Sequence, residues 1–179
     1  MTAVQTPRSV TPLLAPLLVG GLIMVVLGVY GRAHTPTGFA VGPAGFSGAL
    51  PMKAWLTSGA FLLAVIQVVS ALSLWGKLGV KIPAWVHRWS GRLAFILTVP
   101  VAFHCLYALG FQYDVPRVLA HSLLGCFFYG VFAAKMLTLP KRGTPGWTLP
   151  VLGGFAFTAL VGLWLTSSFW FFTTIGFKV

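Results

Sequence analysis

The sequence contains almost no acid. Asp114 is its one acidic residue, and glutamate and asparagine are absent. Twelve Lys and Arg stand against it, so 7% of the 179 residues are charged and the formal net charge is +11. A soluble domain carries about 25% charged residues, and this chain has too few to cover a water-facing surface. Cysteine is scarce too: Cys105 and Cys126 form neither a disulfide framework nor a CxxC motif. There is no phosphate-binding loop, acidic dyad or nucleophile–base pair. These absences exclude a soluble enzyme, a disordered tail and a fibrous protein.

What is present is apolar. Hydrophobic residues make up 58% of the chain, and the mean hydropathy is +0.92. Five apolar runs stand out, at about 12–30, 52–75, 84–110, 116–139 and 150–175. A helix needs about 20 such residues to cross the hydrocarbon core, and lipid tolerates only structures whose backbone groups are satisfied internally. The expected fold is therefore an all-α integral membrane protein, a bundle of five transmembrane helices forming one domain over 1–179. The first run is too long for a signal-peptide core and no small-x-small cleavage site follows it, so it reads as a retained span. The third run carries Arg88 and Arg92 in its first two turns, where guanidinium groups can snorkel to the interface.

The basic residues are scattered between the apolar runs, which excludes nucleic acid as a partner and makes them markers of orientation. Arg8, Lys77, Lys81, Arg88, Arg92, Lys135, Lys141 and Arg142 fall on the amino-terminal side; Arg32, Lys53, Arg117 and Lys178 fall on the other. This asymmetry predicts a multi-pass protein of the cell membrane with a cytoplasmic N-terminus. Trp55, Trp75, Trp85, Trp89, Trp147 and Trp170 lie near span ends, as interface anchors do. One connection is long: Gly31 to Pro51 holds five glycines, three prolines and His34. It is expected on the outer side as a lid or docking surface.

Ionisable residues inside a membrane are costly and each needs a reason. His87 and His104 are seventeen residues apart on the third span, about 25 Å at 1.5 Å per residue, so they belong to different depths. His104 stands near the outer end of the third span and His121 near the outer start of the fourth. A short turn joins these spans, which brings the two imidazoles to nearly equal depth. Facing imidazoles on bundle helices suit a flat macrocycle. The plain alternative is that each ring bonds to the other or to backbone. Toward the inner side, Lys135 follows His121 by fourteen residues, within about 40° of the same helix face. It matches His87 in depth if Pro100 realigns the third span. The plain readings are an interfacial His87 and a snorkelling Lys135.

The residues His87-Arg88-Trp89-Ser90-Gly91-Arg92, then Pro100 and His104, then His121-Ser122-Leu123-Leu124-Gly125 resemble the haem-binding spans of the cytochrome b561 and ferric-reductase-like transmembrane superfamily. The whole chain is also similar to a bacterial family of five-span membrane proteins of unassigned function. The resemblance implies that His104 and His121 are axial ligands of one haem b in a four-helix core. Members of the superfamily often carry two haems held by four histidines at two levels; this sequence departs from that pattern, because Lys135 stands where the inner histidine beside His87 is expected.

Under this reading Arg117, Tyr113, Tyr107 and Lys53 are the basic and hydroxyl groups available to the haem propionates. Arg117 could instead pair with Asp114, and Asp114 could cap the fourth span. The expected function is a membrane b-type cytochrome subunit. It passes electrons between a quinol or other membrane donor and an outer-face redox protein. Gln67 and Lys135 are candidates for a quinone pocket. The competing expectation is a cofactor-free transporter or a structural anchor subunit, although a proton or divalent-cation path usually has carboxylates, and this interior has none.

Overall fold

The computed structural model describes residues 9–39 and 45–179. Arg8 and residues 40–44 of the long loop lie outside the described residues. A short 3-10 turn, Thr11–Leu13, leads into helix α1, Leu14–Ala33. Helix α2 spans Ala49–Leu74. Helix α3 spans Ala84–His104 and widens into a π turn over Cys105–Leu109. Helix α4 spans Pro116–Thr138. Helix α5 spans Thr148–Trp164, passes through a second π turn at Leu165–Phe169, and ends in a short α6, Trp170–Thr174. Five of these segments are long and apolar enough to cross a membrane: Thr11–Ala33, Ala49–Leu74, Ala84–Leu109, Pro116–Thr138 and Thr148–Thr174. The protein is an all-helical, multi-pass membrane bundle, as its apolar runs predict, and there is no strand among the described residues.

The chain crosses back and forth, so its ends lie on opposite faces. The N-face carries the start of α1 and the connections 75–83 and 139–147. The C-face carries the long loop, the connection 110–115 and the carboxyl end. Outward side chains are lipid-compatible: Leu18, Leu22, Val25 and Val29 are exposed along α1. Inward positions are small or aliphatic, among them Ala60, Ala64, Val131, Ala134, Ala159 and Leu160. Between spans, where lipid and protein are equally apolar, small residues let backbones approach and packing supplies the attraction.

The helices pack in a ring rather than in sequence order. α2 packs along α3, α1 along α4, and α4 along α5, with α2 also meeting α5. α3 and α4 are consecutive, yet their backbones do not pack along each other. Aromatic side chains bridge the gap at mid-depth: Phe95 stacks on Phe132 at 4.1 Å between ring centres, and the Tyr129 hydroxyl donates to Thr98 Oγ1 at 3.0 Å. Toward the C-face the gap stays open. The short connection thus makes α3 and α4 neighbours across a cavity, not a packed pair.

A polar clamp locks α2 to α3 near the N-face. Gln67 Nε2 donates to the His87 carbonyl and to Ser90 Oγ, the latter at 2.9 Å. Ser70 Oγ donates to the Gln67 carbonyl at 3.1 Å and meets His87 Nδ1 at 2.9 Å. Gly91 leaves room for the amide, since a Cβ there would stand 3.0 Å from it. Replacing Gln67 by leucine keeps the bulk and strips the His87 carbonyl and Ser90 of their donor. The expected cost is about 1–3 kcal/mol, read as a lower thermal midpoint in detergent. An unchanged midpoint would show that the clamp adds nothing to stability.

The described part of the long loop straps the C-face end of α3. His34 lies between the rings of Tyr30 and Tyr107, at 5.1 and 5.4 Å, and its Nε2 bonds the Tyr107 carbonyl at 3.1 Å. Thr37 and Gly38 donate backbone N–H groups to Tyr107 and Ala108. These bonds satisfy carbonyls that the π turn leaves without helical partners. His34 therefore holds the strap down and is not a free loop residue.

Candidate functional site

A cavity of about 300 Å³ opens inside the C-face half of the bundle. This is the lower end of the usual range for small-molecule sites. Its walls come from α2, α3, α4 and α5, with Leu27 from α1, and are mainly apolar. Polar and reactive side chains interrupt them, among them Lys53 on α2, Cys105 at the start of the first π turn, Arg117 and His121 on α4, and Thr166 and Trp170 beyond α5. Both π turns border this cavity. π turns recur at functional sites because the extra residue redirects side chains.

His121 is held in a defined tautomer. Thr166 Oγ1 gives its proton to the Gly162 carbonyl, 2.7 Å away, so toward the ring it can only accept. His121 Nδ1, at 3.0 Å from that oxygen, is then the donor. The unprotonated Nε2 faces Cys105 Sγ across the cavity at 4.0 Å. An imidazole whose Nδ1–H is committed to an oxygen, with Nε2 presented to a cavity, has the arrangement of a metal-ligating histidine.

His104 behaves differently. It is 5% exposed, its ring meets Phe103 edge-on, and Nδ1–H donates to the Pro100 carbonyl at 2.8 Å. His104 is not on the cavity wall. The wall residue opposite His121 is Cys105, the next in the chain. The direction around the helix axis gives the cavity face to Cys105 and not to His104. Cys105 and Cys126 both line the cavity as free thiols.

Of the four candidate propionate partners, Lys53 and Arg117 line the cavity and the tyrosines do not. Tyr107 lies under the strap, stacked on Phe103 at 5.3 Å and on His34. Tyr113 is exposed and holds Arg32 over its ring at 5.2 Å. Both residues belong to the C-face surface. Arg117 does not pair with Asp114. Its NH1 donates to the Thr166 carbonyl at 2.5 Å and its guanidinium lies 4.0 Å over the Trp170 ring. Trp170 thus anchors Arg117 inside the site and is not a free interfacial residue. Asp114 makes no capping bond; Val115 is the N-cap of α4, with Pro116 in the first turn.

At the N-face level, His87 is held by Ser70 and Lys135 is close enough to act on it electrostatically. Lys135 rests against α5, where a Cβ at Gly153 would be 3.8 Å from its Nζ. Gln67 is spent on the α2–α3 clamp, which removes it from a quinone pocket in this state. Among the described residues no group of three or more His, Cys, Asp or Glu side chains converges.

Thr166 and Cys105, which meet His121, are not among the sequence's site candidates. Thr166 carries no signal, since a threonine in an apolar run most often bonds its own helix. Cys105 could have been found from its place beside His104, had the π turn been foreseeable. No curated protein and no solved structure matches the chain at a significant level. A family model does match residues 13–179, and it is described as a family of unknown function. With nearly all of its described spans inside that match, the chain belongs to this family, DUF6529.

Proposed function

We propose that the protein is a b-type cytochrome subunit of the cell membrane, with one haem b in the C-face cavity. The observation that carries this reading is His121: an imidazole inside a membrane, locked by Thr166 with Nε2 turned into an apolar cavity. Lys53 and Arg117 on the same wall suit the acidic edge of the macrocycle. When bound, a haem with two imidazole ligands supplies one-electron transfer and has no open position for oxygen.

In this proposal His121 and His104 would hold the haem iron. His104 precedes the wall residue Cys105, so bringing its ring into the cavity takes a turn of about 100° around the helix axis. The π turn that begins at Cys105 is where the helix can take up such a change of register. Thr166 holds the His121 ring, and the Pro100 carbonyl bonds Nδ1 of His104. The donor is a quinol or another membrane donor, and the acceptor is a redox protein that docks beside the strap on the C-face. The inner pair His87 and Lys135 holds no second haem in this proposal.

The test is the visible spectrum of the purified protein. One haem per chain, with a Soret band and sharp reduced bands of a low-spin centre, is expected. Purified protein without a Soret band would leave a cofactor-free transporter or structural anchor as the function.

The basic asymmetry supports a cytoplasmic N-face. A reporter fused at Lys141 should read inside and one at Val179 outside; the reverse pattern would invert the electron path.

A further inference from the structure

The cavity carries an unbalanced charge. Lys53, on the second turn of α2, is 8% exposed and faces the cavity, and its ammonium makes no hydrogen bond or ion pair among the described residues. Arg117 spends one N–H on the Thr166 carbonyl and its face on Trp170, which leaves the rest of its fork available. Both cations stand within electrostatic range of His121. The only acidic side chain in the sequence, Asp114, lines a separate shallow hollow with Arg32 and His34. Two cations thus share an apolar cavity with no carboxylate of the chain to neutralise them. An ammonium in such a place is unfavourable unless something anionic joins it.

We propose that this cavity binds an amphiphile through its anionic head. Lys53 and Arg117 grip a carboxylate or phosphate, and the apolar body lies among Val101, Leu106, Phe128 and Leu160. The inference rests on the cations and the walls, not on iron. A haem propionate and the head of a fatty acid or phospholipid are two sources of the same anion. Charge-assisted bonds to carboxylate or phosphate are the strong class of hydrogen bond, and apolar walls exclude the water that would screen them. The same charge makes the cavity a poor cation path.

The test uses the full chain, freed of any bound haem, in a neutral maltoside detergent. The probe is cis-parinarate, a fluorescent fatty acid that quenches tryptophan, with its methyl ester as the uncharged control of equal shape. The acid should bind at one per chain and about tenfold more tightly than the ester. Lys53→Met should erase that preference and Lys53→Arg should keep it. Equal binding of acid and ester by the wild type would overturn the proposal, as would an undiminished preference in Lys53→Met. If Lys53→Met fails to fold, the wild-type comparison together with Arg117→Leu, expected to weaken the acid alone, decides the matter. Haemin added in competition sorts the sources. Displacement of the probe at one haemin per chain assigns the anion to a propionate, and no displacement assigns it to a lipid head; both support the site. A protein that lacks a Soret band but prefers the acid would lose the cytochrome reading and retain this one.

Discussion

His121→Ala should strip haem from the purified protein, lowering the haem-to-protein ratio by at least about tenfold. That floor follows from metal sites in general, where loss of a supporting residue alone costs about 10–100-fold in affinity. Here the ligand itself is removed. The cavity then gains the space of the ring and loses the nitrogen that Thr166 orients. Thr166→Val should act in the same direction and less strongly, because it removes the acceptor that fixes the tautomer and leaves the ring in place. His104→Ala tests the other axial position: the expected product is a high-spin centre that keeps one imidazole. If Cys105 is the second ligand, His104→Ala will keep a low-spin spectrum and Cys105→Ala will change it. A wild-type reduced spectrum in His121→Ala would remove His121 as a ligand, and with it the placement of the haem in this cavity. His34→Ala is the control, because that ring bonds the strap and stays outside the cavity. Loss of bound haem should also lower the thermal midpoint, since a ligand that binds only the folded state stabilises it by mass action.

The spans were legible because crossing a bilayer demands about 20 apolar residues, and that demand leaves a mark no other fold class shares. Even the discrepancies are small and physical. α2 starts at Ala49 rather than near Met52 because proline is tolerated in a first turn, and Pro51 stands there. Depth was partly legible, since rise per residue is nearly constant: Cys105, the residue after His104, comes within 4.0 Å of His121. Direction around the helix axis was not. It depends on Pro100 and on a π turn that no local pattern announces, and there Cys105 takes the cavity face that spacing alone gives to His104. Packing order was lost for a related reason. A short connection fixes which helix ends are close, but not whether the helices touch along their length, and large aromatics such as Phe95 and Phe132 hold α3 and α4 apart. Lys53 and Arg117 were visible as isolated charges in apolar runs, whereas Tyr107 and Tyr113 shared only their nearness to the C-face.

The α1–α4 contact was hidden in the sequence for the opposite reason, because its signal is the lack of a side chain. Gly20 and Gly130 face each other so closely that a Cβ on Gly20 would stand 2.6 Å from the Gly130 carbonyl oxygen and 2.9 Å from Ala134 Cβ. A Cβ on Gly130 would strike Met24 and the Gly20 carbonyl in turn. The first atom met from Gly20 is backbone, so no rotamer change relieves the clash and the helices must separate. Gly21, one residue on, points away from the contact, and a Cβ there would meet nothing within 4 Å. Gly20→Val should therefore cost about 3 kcal/mol, the upper end for overpacking a tight interior. At this chain length that is a fall of about 6–12 °C in thermal midpoint. Gly21→Val adds the same atoms on the lipid side and should melt within a degree or two of the wild type. Equal melting of the two variants would show that α1 is not held by this contact. The consequence reaches the site, because α4 carries both Arg117 and His121. An α4 that loses its seat on α1 should bind cavity ligands more weakly, although no residue touching the cavity has been changed.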